Sequence, residues 1–382
     1  MNQSLSLISS IALILILIRN VHVGFAVFIG ALTLGILTIG LKSFEILLLT
    51  LTDRQTLKFI VIFTFAFTLA YSMQESGVLD RITRSTLSLF GKASTFMIPA
   101  MIGFLPMPGG AIVSAVMLKD VFKRFEIESE KATFLNYWFR HIWACLDPIY
   151  PSVVIALAVL ETNYLTLIRS TYPITIAMIV SGLPFITLGK PSGDKDYVGI
   201  LYIMPILAIV ILTLFGMDLL YSLAIVLAIF CALIKPNLRI VARKVFNFRI
   251  FLLLIALLYF KELIIVTNSA HALLNDLSFL PQDILAFTLS FIVGFATGIE
   301  SGYSAIALPL LIPFIGIGEV TSRNLLLVMG GGIAGVMLSP LHLCLILTKE
   351  YYSANMESIY LRYLIPSSLL TILFIFLFYR YL

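Results

Sequence analysis

Charge-free apolar runs alternate with short polar stretches along the whole chain; 5–18, 23–40 and 197–216 contain no Asp, Glu, Lys or Arg. These runs approach or match the roughly 20 residues that a helix needs to cross a bilayer. Apolar and polar positions do not alternate within them, which argues against the period-two pattern of barrel strands. The pattern predicts an all-α membrane protein with about ten transmembrane helices, at 5–18, 23–40, 57–74, 131–160, 164–188, 197–216, 218–235, 249–269, 323–348 and 360–381.

Two further apolar stretches, 93–122 and 284–317, are too long for one simple span and are broken centrally, by Pro106-Met107-Pro108-Gly109-Gly110 and by Gly298-Ile299-Glu300-Ser301-Gly302. Arms of about 11 to 14 residues rise only about 16 to 21 Å, short of a roughly 30 Å hydrocarbon core. Both stretches are therefore expected to be re-entrant hairpins, whose non-helical backbone survives at depth only where protein or a wet cavity satisfies it.

Comparing the chain with itself at an offset near 192 residues aligns Gly110 with Gly302, and Leu146-Asp147-Pro148 with Leu338-Ser339-Pro340. Arg169-x-x-x-Pro173 then matches Arg362-x-x-x-Pro366 with one residue inserted. Shared order and spacing across two equal halves reads as an internal repeat, 1–192 and 193–382, together forming one membrane domain. Each half holds five expected crossings, an odd number, so the second is expected to be inverted: the 93–122 hairpin enters from the cytoplasm and the 284–317 hairpin from outside. Inverted repeats with broken helices are the architecture of many secondary transporters.

Composition agrees, at 60% hydrophobic and 12% charged, far from the average of soluble domains. On the expected topology seventeen Lys and Arg residues, among them Arg81, Lys123, Lys190, Lys195, Arg243 and Lys349, fall on one face and six on the other. The positive-inside rule then makes the first face cytoplasmic and puts both termini outside. The net charge of +5 thus reflects loops facing lipid headgroups rather than a nucleic-acid surface. Polar stretches of about a dozen residues leave no room for a soluble domain. Gly40 is followed by Leu41 where a P-loop needs lysine, which argues against ATP-driven transport. Cys145, Cys231 and Cys344 are odd in number and lie in apolar segments, so they read as packing residues. Arg19 follows the first apolar run instead of preceding it, so 5–18 reads as a retained helix.

The candidate chemistry lies at the tips and breaks. Asp147 precedes Pro148 and Pro151 deep in its helix, which should unwind there. With Ser339-Pro340 as its mate, two broken helices would expose carbonyls and helix ends to ions. A carboxylate in the membrane interior is costly and marks ion or proton pathways, so Asp147, Glu300, Ser339 and His342 are the candidate coupling residues. Pro108, Gly109, Gly110, Ser114, Ser301, Gly302 and Ser304 are the candidate substrate-binding residues, because small residues let backbone amides approach a ligand. The alternatives are plain: prolines that only kink a helix, glycines that only permit a turn, and a histidine that only packs. Glu300 either couples ion movement or pairs with Arg140 or Lys261. Arg140 and His141 are either structural or, for Arg140, a bidentate anchor for an anion. Lys261 and Glu262 are adjacent and are expected to pair with other helices. Tyr137, Trp138, Tyr351 and Tyr352 read as interfacial anchors.

This pattern resembles the ion transporter superfamily, which includes gluconate permeases and divalent anion/sodium symporters. The tip Phe104-Leu105-Pro106-Met107-Pro108-Gly109-Gly110-Ala111 is similar to that of an uncharacterised prokaryotic integral-membrane family related to gluconate permeases. The resemblance implies a scaffold and a moving transport domain, homodimerisation, elevator-type alternating access, and substrate and sodium or proton sites at the hairpin tips and broken helices. The sodium-coupled dicarboxylate branch carries Ser-Asn-Thr at both tips, which neither Pro108-Gly109-Gly110 nor Glu300-Ser301-Gly302 reproduces. The expected function is ion-coupled uptake of a small organic anion, a carboxylate or sugar acid, across the cell membrane. A cation/proton antiporter is the alternative. An intramembrane hydrolase using Ser301 and His342 is the third reading, although Gly298-x-x-Ser301-Gly302 departs from a nucleophile elbow. No cofactor or resident metal is expected, only a coupling Na+ or H+, and the expected partners are an anionic solute, the bilayer and a second copy, with no nucleic acid.

Overall fold

A computed structural model describes residues 2–107, 110–188, 197–245 and 248–381, and among them every regular element is helical. Several helix starts follow from local chemistry. Asn2, Asp53, Asn163, Asp218 and Asn355 each accept a backbone N–H of the first turn, as N-cap side chains do.

The chain opens with α1 (Gln3–Leu17), α2 (Val23–Ile39), the short α3 (Lys42–Thr52), α4 (Arg54–Glu75) and α5 (Val78–Phe90). A helical hairpin follows, α6 (Ser94–Gly103) and α7 (Gly110–Arg124), then α8 (Ser129–Arg140), a non-helical stretch at 141–150, α9 (Pro151–Leu160) and α10 (Tyr164–Gly182). Next come α11 (Met204–Leu214), α12 (Leu219–Ile234), α13 (Leu238–Val245), α14 (Phe248–Thr267) and α15 (Ser269–Asp276). A second hairpin is formed by α16 (Gln282–Thr297) and α17 (Glu300–Leu310), with the one-turn α18 (Ile312–Ile315) after it. The chain closes with α19 (Ser322–Leu338), a break at 339–342, α20 (Leu343–Tyr352), α21 (Met356–Ile359) and α22 (Ile365–Tyr381).

Among the described residues four helical segments are long and apolar enough to cross a membrane, Arg54–Glu75, Tyr164–Phe185, Ser322–Tyr352 and Met356–Tyr381, and the pair bent by 68° at Asn268 makes a fifth if it counts as one span. Shorter apolar helices such as Val23–Ile39 and Leu219–Ile234 accompany them. Polar groups turn inward and apolar ones outward: on α22 Leu369, Leu373 and Leu377 are exposed at i, i+4 and i+8 while Thr371 is buried, bonded at 2.8 Å to Ser181. Such an outward apolar stripe suits lipid, not water, and these features fit a membrane protein.

Two differences from the sequence reading have clear causes. α3, α5, α13 and α15 are absent from the expected list of crossings, because each is short and carries charge. On α5, Leu79, Ile82 and Thr86 are buried while Arg81 and Arg84 are exposed, an amphipathic pattern. Tyr137 and Trp138 are not interfacial anchors: both are fully buried, with Trp138 Nε1 donating to the Met178 carbonyl at 2.9 Å and the Tyr137 hydroxyl reaching the Met337 carbonyl at 3.2 Å.

The densest packing is α16 along α19. A Cβ at Gly331 would meet the Phe287 carbonyl oxygen at 2.4 Å, and one at Gly335 would meet that of Phe291 at 2.1 Å. Backbone therefore touches backbone here, the close approach that small residues allow between helices in lipid. Around that pair α8 packs on α20 and α9 on α17, which brings the two breaks together.

Candidate functional site

The break after α8 starts earlier than its prolines require. Helical bonding stops at Arg140, and residues 141–150 run in successive turns, with Ala144 N–H donating to His141, Leu146 and Asp147 N–H to Trp143, and Tyr150 N–H to Asp147. The Tyr164 hydroxyl takes up the Leu146 carbonyl at 2.7 Å, and Ser152 Oγ that of Ala144 at 2.5 Å. Ser152 thus replaces the bond that Pro148, lacking an N–H, denies Ala144, and Tyr164 takes up a carbonyl freed by the run of turns. The second break spans only 339–342. Ser339 Oγ donates to the Phe295 carbonyl at 2.7 Å and accepts from Leu341 N–H at 3.2 Å. Gly298, at the tip between α16 and α17, has φ +60°, and a Cβ there would lie 2.9 Å from Ser339 Oγ and from His342 N. Only glycine suits a left-handed residue so close to backbone.

A cavity of about 340 Å³ opens between these breaks and tips. Its polar lining includes His22, Arg140, His141, Tyr150, Glu300, Ser301, His342 and Cys344, and Phe63, Phe67, Leu253 and Leu254 form an apolar wall. That mixture, mostly apolar with a few convergent polar groups, is the usual character of a small-molecule site.

Glu300 is the hub. It is the first residue of α17 and only 14% of its side chain is exposed. Its Oε1 lies 3.1 Å from His141 Nε2, 3.7 Å from His342 Nε2 and 3.5 Å from the Tyr150 hydroxyl. The two imidazoles meet edge to face with centroids 4.8 Å apart, each also against the Tyr137 ring. Neither Arg140 nor Lys261 is its partner. Lys261, itself buried, pairs with Glu161 at 2.6 Å and with its neighbour Glu262 at 3.1 Å, so adjacency did not prevent that contact.

Arg140 is 5% exposed and lines the same cavity. Among the described residues no carboxylate lies within 4.0 Å of it, and its hydrogen bond is one long contact of 3.4 Å to the Ile102 carbonyl. A guanidinium offers five donors. It sits against the first hairpin tip, where a Cβ on Gly110 would meet Nη2 at 2.1 Å.

The remaining sequence candidates divide. Ser301 lines the cavity with Glu300 and His342. Ser114 Oγ is turned back onto the carbonyls of Gly110 and Ala111 at 3.1 Å each. Gly302 is buried and closely packed on Thr297, and Ser304 is buried behind the tip. Ser339 holds the second break together. Asp147 is fully buried but does not line the cavity; its Oδ1 accepts Ile149 N–H at 3.2 Å, and its Oδ2 has no hydrogen-bond partner among the described residues. Pro108 and Gly109 lie outside the described residues. Sequence reasoning passed over Tyr150 and Cys344. Tyr150 stands opposite His342 in the repeat alignment, the one signal that could have selected it.

The whole chain from residue 1 to 381 matches the model of the family described as "Protein of unknown function (DUF401)". The chain belongs to the DUF401 family. No curated protein matches it. In this DUF401 protein, then, the cavity chemistry itself is the guide to function.

Proposed function

We propose that this DUF401 protein is a secondary active transporter that takes up a small organic anion, a carboxylate or sugar acid, by ion-coupled alternating access. The observation that carries the proposal is Arg140: a buried guanidinium facing a cavity of about 340 Å³, with no carboxylate within salt-bridge distance among the described residues. Burying an unpaired charge is expensive, and an anionic solute in that cavity supplies the missing partner through charge-assisted hydrogen bonds.

In this reading 1–192 and 193–382 are inverted repeats forming one membrane domain. The hairpin α6–α7 corresponds to α16–α17, the break at 141–150 to that at 339–342, and the short helices α3 and α5 to α13 and α15, all in the same order. Ten crossings and two re-entrant hairpins, termini outside, basic loops facing the cytoplasm and a homodimeric scaffold complete the arrangement, as in the ion transporter superfamily and its gluconate permeases. The chain acts as a transporter and not as an enzyme. Glu300 with His141 and His342 forms the ion-binding side of the cavity, and Asp147 stands as a second coupling site.

Asp147 also favours a second reading, a cation/proton antiporter, because its Oδ2, without a hydrogen-bond partner among the described residues, can take a cation or a proton. Reconstitution into proteoliposomes separates the two. With a panel of carboxylates and sugar acids, an imposed proton or sodium gradient should drive solute accumulation that a protonophore or sodium ionophore abolishes. Exchange of the two gradients with no organic solute present would favour the antiporter and reject symport.

A further inference from the structure

His141 poses a problem of charge. Its Nδ1 lies 2.6 Å from the Tyr137 carbonyl oxygen, which can only accept, so Nδ1 carries the hydrogen. In the neutral ring Nε2 then presents a lone pair, and what it faces at 3.1 Å is Glu300 Oε1, another acceptor. Two acceptors at that distance require a positive species shared between them, either a proton or a metal cation. The neighbours decide between these. His342, 2% exposed, brings its Nε2 to 3.7 Å from the same carboxylate oxygen, and its Nδ1 has no partner among the described residues. One ring nitrogen from each histidine and Cys344 Sγ lie within 4.8 Å of one another.

We propose that His141, His342 and Cys344 form a binding site for one divalent transition-metal ion of borderline softness, with zinc as the type, and that the Glu300 carboxylate beside both imidazoles closes it. A proton needs only the histidine and the carboxylate, whereas two imidazoles and a thiol grouped within 4.8 Å, with a carboxylate oxygen against both imidazoles, are the donor types of such an ion. Distances agree: in a tetrahedral zinc site, neighbouring N, O and S donors stand roughly 3.3–3.6 Å apart. The 3.1 and 3.7 Å separations about Glu300 bracket that range, and the outermost separation closes with an inward shift of about 1 Å. Tyr137 supplies the outer support. A ligating histidine characteristically donates its other N–H to a carbonyl or carboxylate, which fixes the ring, and Tyr137 is itself anchored through its hydroxyl to α19. Charge also balances: a bound carboxylate and thiolate neutralise the dication, leaving the Arg140 charge available to the cavity. The histidines come from the two breaks, Cys344 from the start of α20 and Glu300 from the start of α17, so metal binding ties the second hairpin and both breaks together. The site does not depend on the transport reading.

Cobalt(II) tests the proposal directly. Titrated into metal-stripped, detergent-solubilised full-length protein, it should give intense visible bands of tetrahedral cobalt and a thiolate-to-cobalt charge-transfer band, both saturating at one equivalent and displaced by zinc. Cys344→Ser should lose the charge-transfer band and keep weaker visible bands, and Cys145→Ser and Cys231→Ser should leave the spectrum unchanged. His141→Ala and His342→Ala should each weaken cobalt binding more than about 100-fold. Absence of the charge-transfer band in the wild type, leaving only a shared proton, overturns the proposal, as does its survival in Cys344→Ser. Cys344→Ser is nearly isosteric, so it keeps the test decisive if a histidine variant does not fold, with metal-free melting as the control.

Discussion

Glu300 and Asp147 are two carboxylates buried near two broken helices, yet they are held in opposite ways. Glu300 begins a helix and meets two imidazoles and a phenol through one oxygen. Asp147 sits inside a run of turns and has a single backbone N–H for one oxygen and no partner among the described residues for the other. Depth in a membrane protein therefore does not decide what an acid does; its partners do. Glu300 is built into a ligand cluster at the cavity wall, whereas Asp147 keeps binding capacity unspent behind it.

That contrast can be broken by stability measurements. Glu300→Gln, which removes the carboxylate charge that two buried imidazoles face, should lower unfolding free energy by about 1–3 kcal/mol, read from thermal melts in detergent. Asp147→Asn should change stability by less than about 1 kcal/mol or raise it, since it removes a buried charge that lacks a partner. Both should stop coupled uptake while inserting normally. If Asp147→Asn is the more damaged of the two in melting, the contrast is wrong.

The two breaks sharpen it further. Gly110→Ala pushes a methyl group toward Arg140 Nη2; because the guanidinium end can move, the fold should tolerate it while uptake falls about 10-fold through misplacement of the guanidinium. Ser339→Ala removes both hydrogen bonds that close the second break and should cost about 1 kcal/mol of stability with solute affinity unchanged. A large loss of affinity in Ser339→Ala with normal melting would instead put Ser339 in contact with the solute.

The all-helical class and several helix ends were legible where the sequence carries helix breakers between apolar runs. Gly298 and the Pro106 to Gly110 stretch mark hairpin tips because backbone there must turn without a helical ladder, and Pro148 and Pro340 mark the breaks for the same reason. The short helices were not legible. α5 and α13 mix charge with a narrow apolar stripe, and their burial depends on neighbours far along the chain. Site chemistry was half legible: Glu300 and His342 stand out as polar residues in apolar context and Arg140 as an anion anchor or a structural charge, but His141, Tyr150 and Cys344 joined them only when α8 packed on α20. Spacing along one helix could not reveal that, since the contacts join residues about 150 to 200 positions apart. Ser114 and Ser339 show the converse: polar residues beside a tip or break whose hydroxyls are used by their own backbone.

In the proposed transporter, Arg140 holds an anionic solute in the cavity between the breaks. Uptake of radiolabelled carboxylates and sugar acids into proteoliposomes, wild type against Arg140→Gln, tests it most directly. The account predicts gradient-driven uptake of at least one such anion, reduced about 100-fold or more in Arg140→Gln because a buried charge pair is lost, with the folded variant's melting temperature no lower than that of the wild type without solute. Equal uptake by the two proteins, or gradient exchange that needs no anion at all, would contradict it.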